Sequence, residues 1–456
     1  MGFPWRQAIF FLVIIIAVLQ VIHISLLSRL EALRNDRRKR NALAFKFDKN
    51  DHEHQLIYTI KDIEKDRKLL LEAVKESSVL DAFGEMHIIN NWIRAESLGS
   101  RNHIRKDITL VTQTSISGLH NLITIIPHWK GLISVGLFTL TKDISTAIEA
   151  ILVLRKCYPV IRFNTSFHLV YPLHVPLPDL TMHNDLYHLF PTSPPSLSSK
   201  SQKESLDDNT ICNHLPQILV SLKSSSLNYD NEGVPFPNNL LRNVARRNSL
   251  TQFIFVTDID LVPNHNLDRD FIEFAIENRL FEEETKDEKT VYVVPSYEID
   301  SSLVPDHIPQ DKRELMLAVN SGYVRPFYYE LCWKCQKYTD YEAWQKEPQS
   351  NKLNILFEVF WHDPWEPFYI SRNTVPMYDE RFRQYGFNRI SQVCELHMAG
   401  YRFSVLNNPF VIHKGMKRSD SFHKDKDLEL EKNRILFRHF KNELKDRYPH
   451  SSRRCY

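Results

Sequence analysis

FIFVTDIDLVP, residues 253–263, is the stretch from which the rest of this sequence is read. Its apolar run stops at two carboxylates, Asp258 and Asp260. Such a run is the pattern of a strand buried on both faces, and residues two apart on an extended chain point the same way. In open α/β sheets ligands bind beyond the carboxyl ends of the strands. Both carboxylates are therefore placed to approach one divalent cation, and oxygen ligands suit Mn²⁺, with Mg²⁺ as the alternative. A lone D-x-D also marks solvated turns and helix caps, so its place at a strand end carries the weight.

Outward from this stretch, apolar periodicity predicts strands over 108–112, 133–140, 167–171 and 291–296, and helices over 120–129, 141–157, 238–247 and 268–281. Strands alternating with helices imply an α/β fold with a parallel sheet covered on both faces. Residues 184–235, rich in Pro, Ser and charge, read as a polar surface insertion.

The chain has 456 residues, 43% of them apolar, which suffices for a large core. Its formal net charge of +2 gives no reason to expect a nucleic-acid partner. Residues 8–27, AIFFLVIIIAVLQVIHISLL, have the length and apolarity of a membrane-spanning helix, which makes 1–7 a short cytoplasmic tail. Residues 28–83 read as a charged helical stem and 84–456 as the lumenal catalytic domain; the stem's spacing is too irregular to assert a dimerising coiled coil, and a homodimer stays open. Six basic residues between Arg29 and Arg40 oppose a lumenal topology by the positive-inside rule. The sequon Asn164-Thr165-Ser166 and six cysteines favour an oxidising lumen, and the expectation is a single-pass type II protein of the Golgi membrane. The cysteines allow up to three bridges of unspecified pairing; Cys332-Trp-Lys-Cys335 lacks the second ligand pair of a zinc site and reads as a structural pair.

The blocks 108–113 (ITLVTQ), 237–246 (PNNLLRNVAR), 255–263 (FVTDIDLVP), 292–299 (YVVPSYEI) and 378–417 (YDERFRQYGFNRISQVCELHMAGYRFSVLNNPFVIHKGMK), in this order, resemble the β-1,4-glucuronyltransferase family. That family also includes the second catalytic domain of LARGE-type xylosyl- and glucuronyltransferases. The resemblance covers roughly residues 105–420, apart from an insertion longer than the family pattern. It implies a GT-A type nucleotide-sugar-binding fold, a UDP-sugar donor, Mn²⁺ and inversion at the anomeric carbon. It further implies that Asp258 and Asp260 are the metal-binding D-x-D and that His413 closes the metal site. On chemistry alone His413 would be a polar loop residue. The resemblance implies transfer of glucuronate from UDP-glucuronate to a xylose-ended O-mannosyl-type glycan on a glycoprotein.

The remaining candidates are read from residue type and position. Asn239, Arg242 and Asn243 lie about a turn apart or less on one helix, and Thr112 and Gln113 end the first strand; all are candidates to meet the donor, with an ordinary polar helix face as the structural reading. Inversion needs a general base, and Asp379, Glu380 and Glu366 are the candidates, each also explicable as an ion-pair partner of Arg381 or Arg383. A donor carboxylate calls for a nearby cation from Arg242, Arg325 or Lys414. Trp361, Trp365, Phe368 and Tyr369 are either an acceptor-sugar platform or core. The rival readings are the same fold with UDP-N-acetylglucosamine or UDP-xylose, a non-catalytic Golgi binding or scaffold protein, and a cytosolic membrane-associated protein.

Overall fold

Residues 253–256 form strand β6 (Phe253–Val256), and all four are buried, as an apolar run inside a parallel sheet must be. The strands before it are β1 (Val79–Leu80), β2 (Met86–Ile93), β3 (Ile108–Ser115), β4 (Leu132–Phe138) and β5 (Thr165–Pro172). Those after it are β7 (Leu261–Pro263), β8 (Thr290–Val294), β9 (Ser296–Ile299), β10 (Val324–Pro326), β11 (Ile355–Val359), β12 (Phe368–Arg372), β13 (Arg402–Leu406) and β14 (Val411–Lys414). In this computed structural model residues 58–99, 104–173, 212–213, 215–223, 229–300, 302, 308–418 and 425–455 are described. Among them the strands make two sheets: ten strands in the order β1-β2-β5-β4-β3-β6-β12-β8-β13-β11, and four in the order β10-β9-β14-β7.

The expected parallel sheet is present as β5-β4-β3-β6, but β12 runs antiparallel to both β6 and β8, so the whole sheet is mixed. Three strands of the large sheet hand the chain to the small one: β6 to β7, β8 to β9 and β13 to β14. The first handover is Thr257 to Asp260, so the D-x-D sits where the two sheets part.

The helix Asn238–Arg247 has the predicted limits and lies against β3 and β4. Gly136 on β4 permits the close approach, since a Cβ there would stand 2.5 Å from the Leu241 carbonyl oxygen. The predicted helix 120–129 is shorter, a 3₁₀ turn Ile116–Asn121 running into Leu122–Ile125.

Two boundaries differ from expectation. Residues 60–83, assigned to the stem, belong to the compact unit that begins at Thr59. The helix Ile60–Glu76 buries Ile63, Leu70 and Val74, packs on β2 and the helix Ile144–Cys157, and pairs Arg67 with Glu149 at 2.9 Å. The spacing of threes and fours was a packing stripe. The end of the insertion is also folded: the helix Leu215–Leu222 buries Leu215, Ile218 and Leu222, and Cys212 is disulfide-bonded to Cys157. Composition missed this because the short apolar stretch 215–222 was averaged with the long polar run before it, and its anchor is a disulfide to a residue 55 positions away. The other disulfides are Cys332–Cys335 and Cys394–Cys455. The segments expected to form the tail (1–7), the anchor (8–27) and the first part of the stem (28–57), with most of the insertion, lie outside the described residues; no helix among the described ones is long and apolar enough to cross a membrane.

Candidate active site

Beyond Val256 the backbone leaves the sheet, and Leu261 N–H donates to the Asp258 carbonyl at 3.1 Å, closing a turn over Asp258–Leu261. The D-x-D is therefore not extended, and its two carboxylates face different partners, contrary to the sequence-based expectation of one shared direction. Asp258 Oδ1 accepts from Arg242 Nη2 at 2.8 Å and from Gln113 Nε2 at 2.6 Å, while its Oδ2 lies 3.4 Å from Arg389 Nη1. Asp260 Oδ2 lies 3.0 Å from His413 Nε2 and 3.3 Å from Lys417 Nζ. The pairing of β14 with β7, His413 opposite Leu261, delivers the imidazole to Asp260.

Burial opposes ionisation of Asp258, but Arg389 and Arg242 outweigh it and hold the carboxyl below its ordinary range. Burial opposes ionisation of Asp260 as well, and His413 and Lys417 hold it well below. Both are carboxylates at neutral pH.

Asp258, Asp260 and His413 do not come together as one three-ligand cluster among the described residues. Asp260 and His413 do meet, in an arrangement that fits a dication. His413 Nδ1 stands 2.6 Å from the Gly415 carbonyl oxygen, so both ring nitrogens face oxygen acceptors. Nε2 is therefore the ring nitrogen turned toward Asp260, the position a metal-ligating imidazole would use while its other nitrogen is held by a backbone carbonyl. An imidazole and carboxylates are a donor set suited to Mn²⁺.

Most of the residues expected to touch the donor are spent inside the protein. Asn239 is fully buried and donates to the Asp379 and Asn388 carbonyls at 2.8 and 3.1 Å. Arg242 is clamped by Asn239 Oδ1 and Asn388 Oδ1, both at 2.9 Å, and so aims its other nitrogen at Asp258. Asn243 brackets Tyr378, donating to its carbonyl at 2.8 Å and accepting from its N–H at 2.9 Å. Thr112 is fully buried within β3, whereas Gln113 lines a cleft of about 380 Å³ with both aspartates. Lys414 is exposed at the end of β14, and Lys417 is the lysine that reaches Asp260. Arg325 pairs with buried Glu298 at 2.5 Å. Helical spacing had put Asn239, Arg242 and Asn243 about a turn apart or less, and the face they share is a packed one.

The three base candidates separate in the same way. Asp379 is held by Arg381 through contacts of 3.0 and 2.5 Å, with Arg381 continuing to Glu443 at 2.6 Å. Glu380 Oε1 accepts from Asn243 at 2.8 Å and Arg247 at 2.7 Å. Glu366 is linked to the site through Arg389: its only ion pair among the described residues is to Arg389 at 3.5 Å, and Arg389 lies 3.4 Å from Asp258. Burial raises the Glu366 pKa despite Arg389. Asp379→Asn is accordingly expected to lower the unfolding midpoint by the loss of about 1 kcal/mol of ion pairing while leaving kcat unchanged, as thermal melts and initial rates will read.

Two site residues escaped the sequence, Arg389 and Lys417. Both lie inside the 378–417 block, but neither is periodic with other functional groups. The only signal was charge balance, since carboxylates gathered at a strand end need cations from elsewhere in the fold. Arg389 is also fixed by packing, its guanidinium 4.1 Å over the Phe368 ring. The aromatic cluster is core: Trp361 and Trp365 are 4% and 0% exposed, and their indole N–H groups donate to the Trp365 carbonyl and Thr339 Oγ1.

Comparison with known proteins agrees with this architecture. A family profile described as glycosyl-transferase for dystroglycan matches residues 107–449. The chain is 36% identical to the zebrafish (Danio rerio) Beta-1,4-glucuronyltransferase 1 over 97% of its own length and 96% of the relative's. It is 35% identical to the human (Homo sapiens) protein of the same name over 87% of each chain. The chicken (Gallus gallus) Xylosyl- and glucuronyltransferase LARGE2s is 33% identical over 42% of this chain and 24% of its own. A mixed α/β body with a carboxylate–imidazole pair at a strand end, matched over three quarters of its length, places the chain in the glycosyltransferase family described as acting on dystroglycan.

Proposed function

We propose that this glycosyltransferase has a GT-A type fold and moves glucuronate from UDP-glucuronate to a xylose-ended glycan, with inversion at C1. The observation that carries the reading is the Asp260–His413 pair beside a cleft lined by Gln113 and Asp258. A divalent cation, Mn²⁺ or Mg²⁺, would be held by Asp260 and His413 with Asp258 nearby, and when bound supplies Lewis-acid neutralisation of the departing diphosphate. Arg242 and Gln113 fix the Asp258 carboxylate in place. Lys417 adds positive charge beside Asp260. Glu366 accepts the acceptor hydroxyl proton as that oxygen bonds to C1 and the C1–O bond to UDP breaks, UDP leaving as the anion.

The donor assignment rests on relatives whose printed names are glucuronyltransferases. The intact carboxylates and imidazole favour an enzyme over a binding or scaffold protein that kept the fold. Three disulfides support an oxidising, lumenal setting, and with the apolar run at 8–27 they support a Golgi type II anchor followed by a shorter stem than 28–83. A donor screen on the lumenal fragment, with Mn²⁺ and a β-xyloside, tests the reading. Transfer from UDP-glucuronate alone is expected; turnover of UDP-glucose would remove the donor assignment, and no turnover of any UDP-sugar would remove the enzyme.

A further inference from the structure

The aromatic residues that the sequence offered for sugar stacking are buried, but an exposed pair lies elsewhere. After β10, Tyr329 in the connection and Trp333 at the start of the short helix Trp333–Gln336 place their rings 5.2 Å apart and tilted 59° to each other, with 51% and 38% of their surfaces exposed. Large rings left in water on a tethered segment are the usual make-up of a carbohydrate platform, because the C–H faces of a pyranose pack on them.

Three features hold this segment at the site. At its start, Phe327 is buried, with its ring 5.7 Å from that of His413. At its end, Glu366 N–H donates to the Cys335 carbonyl at 2.9 Å, which ties the candidate base to the residue two after Trp333. Between them Tyr328 has φ +58°, a left-handed conformation that a bulky residue adopts only when its surroundings impose it. Its hydroxyl lies in the field of Glu366, Arg389 and Asp258, and Cys332 N–H donates to its carbonyl at 2.9 Å. The reversal at Tyr328 sends one aromatic side chain inward and leaves Tyr329 outward. The Cys332–Cys335 disulfide closes the turn that carries Trp333.

We infer that Tyr329 and Trp333 form the acceptor subsite, a stacking platform for a pyranose ring of the incoming glycan, built on the segment that also anchors Glu366. This rests on the glycosyltransferase reading above. The platform orients the acceptor, and Glu366 takes the proton; neither ring touches the donor. Binding by stacking tolerates different hydroxyl patterns, so the platform fixes where the acceptor lies, and polar groups fix which hydroxyl reacts.

The test uses the full lumenal domain and a β-xyloside with an aliphatic aglycone, so that no aglycone ring competes for the platform. Tyr329→Ala and Trp333→Ala are each expected to raise the acceptor KM about tenfold, with Trp333→Phe restoring most of the loss. Donor KM, and hydrolysis of UDP-glucuronate without acceptor, are expected to stay at wild-type values in all three. An unchanged acceptor KM in both alanine variants would overturn the platform, as would loss of acceptor-free hydrolysis together with transfer, which marks a collapsed site. A wild-type protein that hydrolyses and transfers nothing defeats the glycosyltransferase reading instead, so the two failures are distinguishable.

Discussion

Asp260→Asn is expected to reduce transfer at least about a hundredfold, with the fold retained, because the variant loses the carboxylate on which the candidate cation site is built. Asp260 lies 3.0 Å from His413, accepts from Lys417 and sits in a turn whose backbone hydrogen bond, Leu261 to Asp258, does not involve its side chain. An amide of the same shape keeps the turn, cannot neutralise a dication and presents a donor where an acceptor is needed. Calorimetry of Mn²⁺ binding should fall in step with activity, and retained Mn²⁺ affinity would contradict the assignment of Asp260. The stability consequence has a definite sign. The folded-state pKa of Asp260 is depressed, so its ionised form stabilises the protein above the ordinary carboxylate pKa, and that contribution is lost as pH falls through the folded value. The variant should therefore melt lower than wild type at neutral pH, and the difference should shrink in strong acid.

Glu366→Gln is expected to lower kcat by roughly 10²- to 10⁴-fold, the usual contribution of a positioned base, with little change in donor KM. Glu366 is the candidate that shares Arg389 with Asp258 of the D-x-D; Asp379 and Glu380 are committed to Arg381, and to Asn243 and Arg247. Burial raises its pKa above the ordinary glutamate value of 4.5, so the basic form fills only as pH rises through that raised value. The wild-type kcat/KM should show an acid limb there, and the residual activity of the variant should not. Folding carries the opposite sign from Asp260. A raised carboxyl pKa means the native state holds the proton more tightly than the unfolded chain, so this group's contribution falls as pH rises from the unfolded to the folded pKa. Should Glu366→Gln keep wild-type kcat, the base lies elsewhere and the acceptor geometry must be reconsidered.

The local rhythm of the chain was legible. The helix 238–247 and the apolar strand 253–256 follow from residue periodicity and from where it stops, and the carboxylates at the strand end follow with them. Those features are local, encoded by neighbours three, four or two residues away. The sheet's mixed character was not, because β12 runs antiparallel between β6 and β8, which precede it by long stretches of chain that local periodicity does not relate to it.

By itself the sequence determined an α/β body and an apolar strand with Asp258 and Asp260 just beyond its end, and family resemblance pointed to His413. Only the tertiary structure decided what those polar groups do. Asn239, Arg242 and Asn243 point to the same face as ligand-binding residues would, but that face meets Tyr378, Asp379 and Asn388, and they became clamps. Arg389 and Lys417 reached the aspartates from 131 and 157 residues away. The physical reason is that a side chain's periodicity tells which way it points, while its function depends on what stands opposite, and the opposite surface is supplied by distant chain whose register is set by packing of the whole.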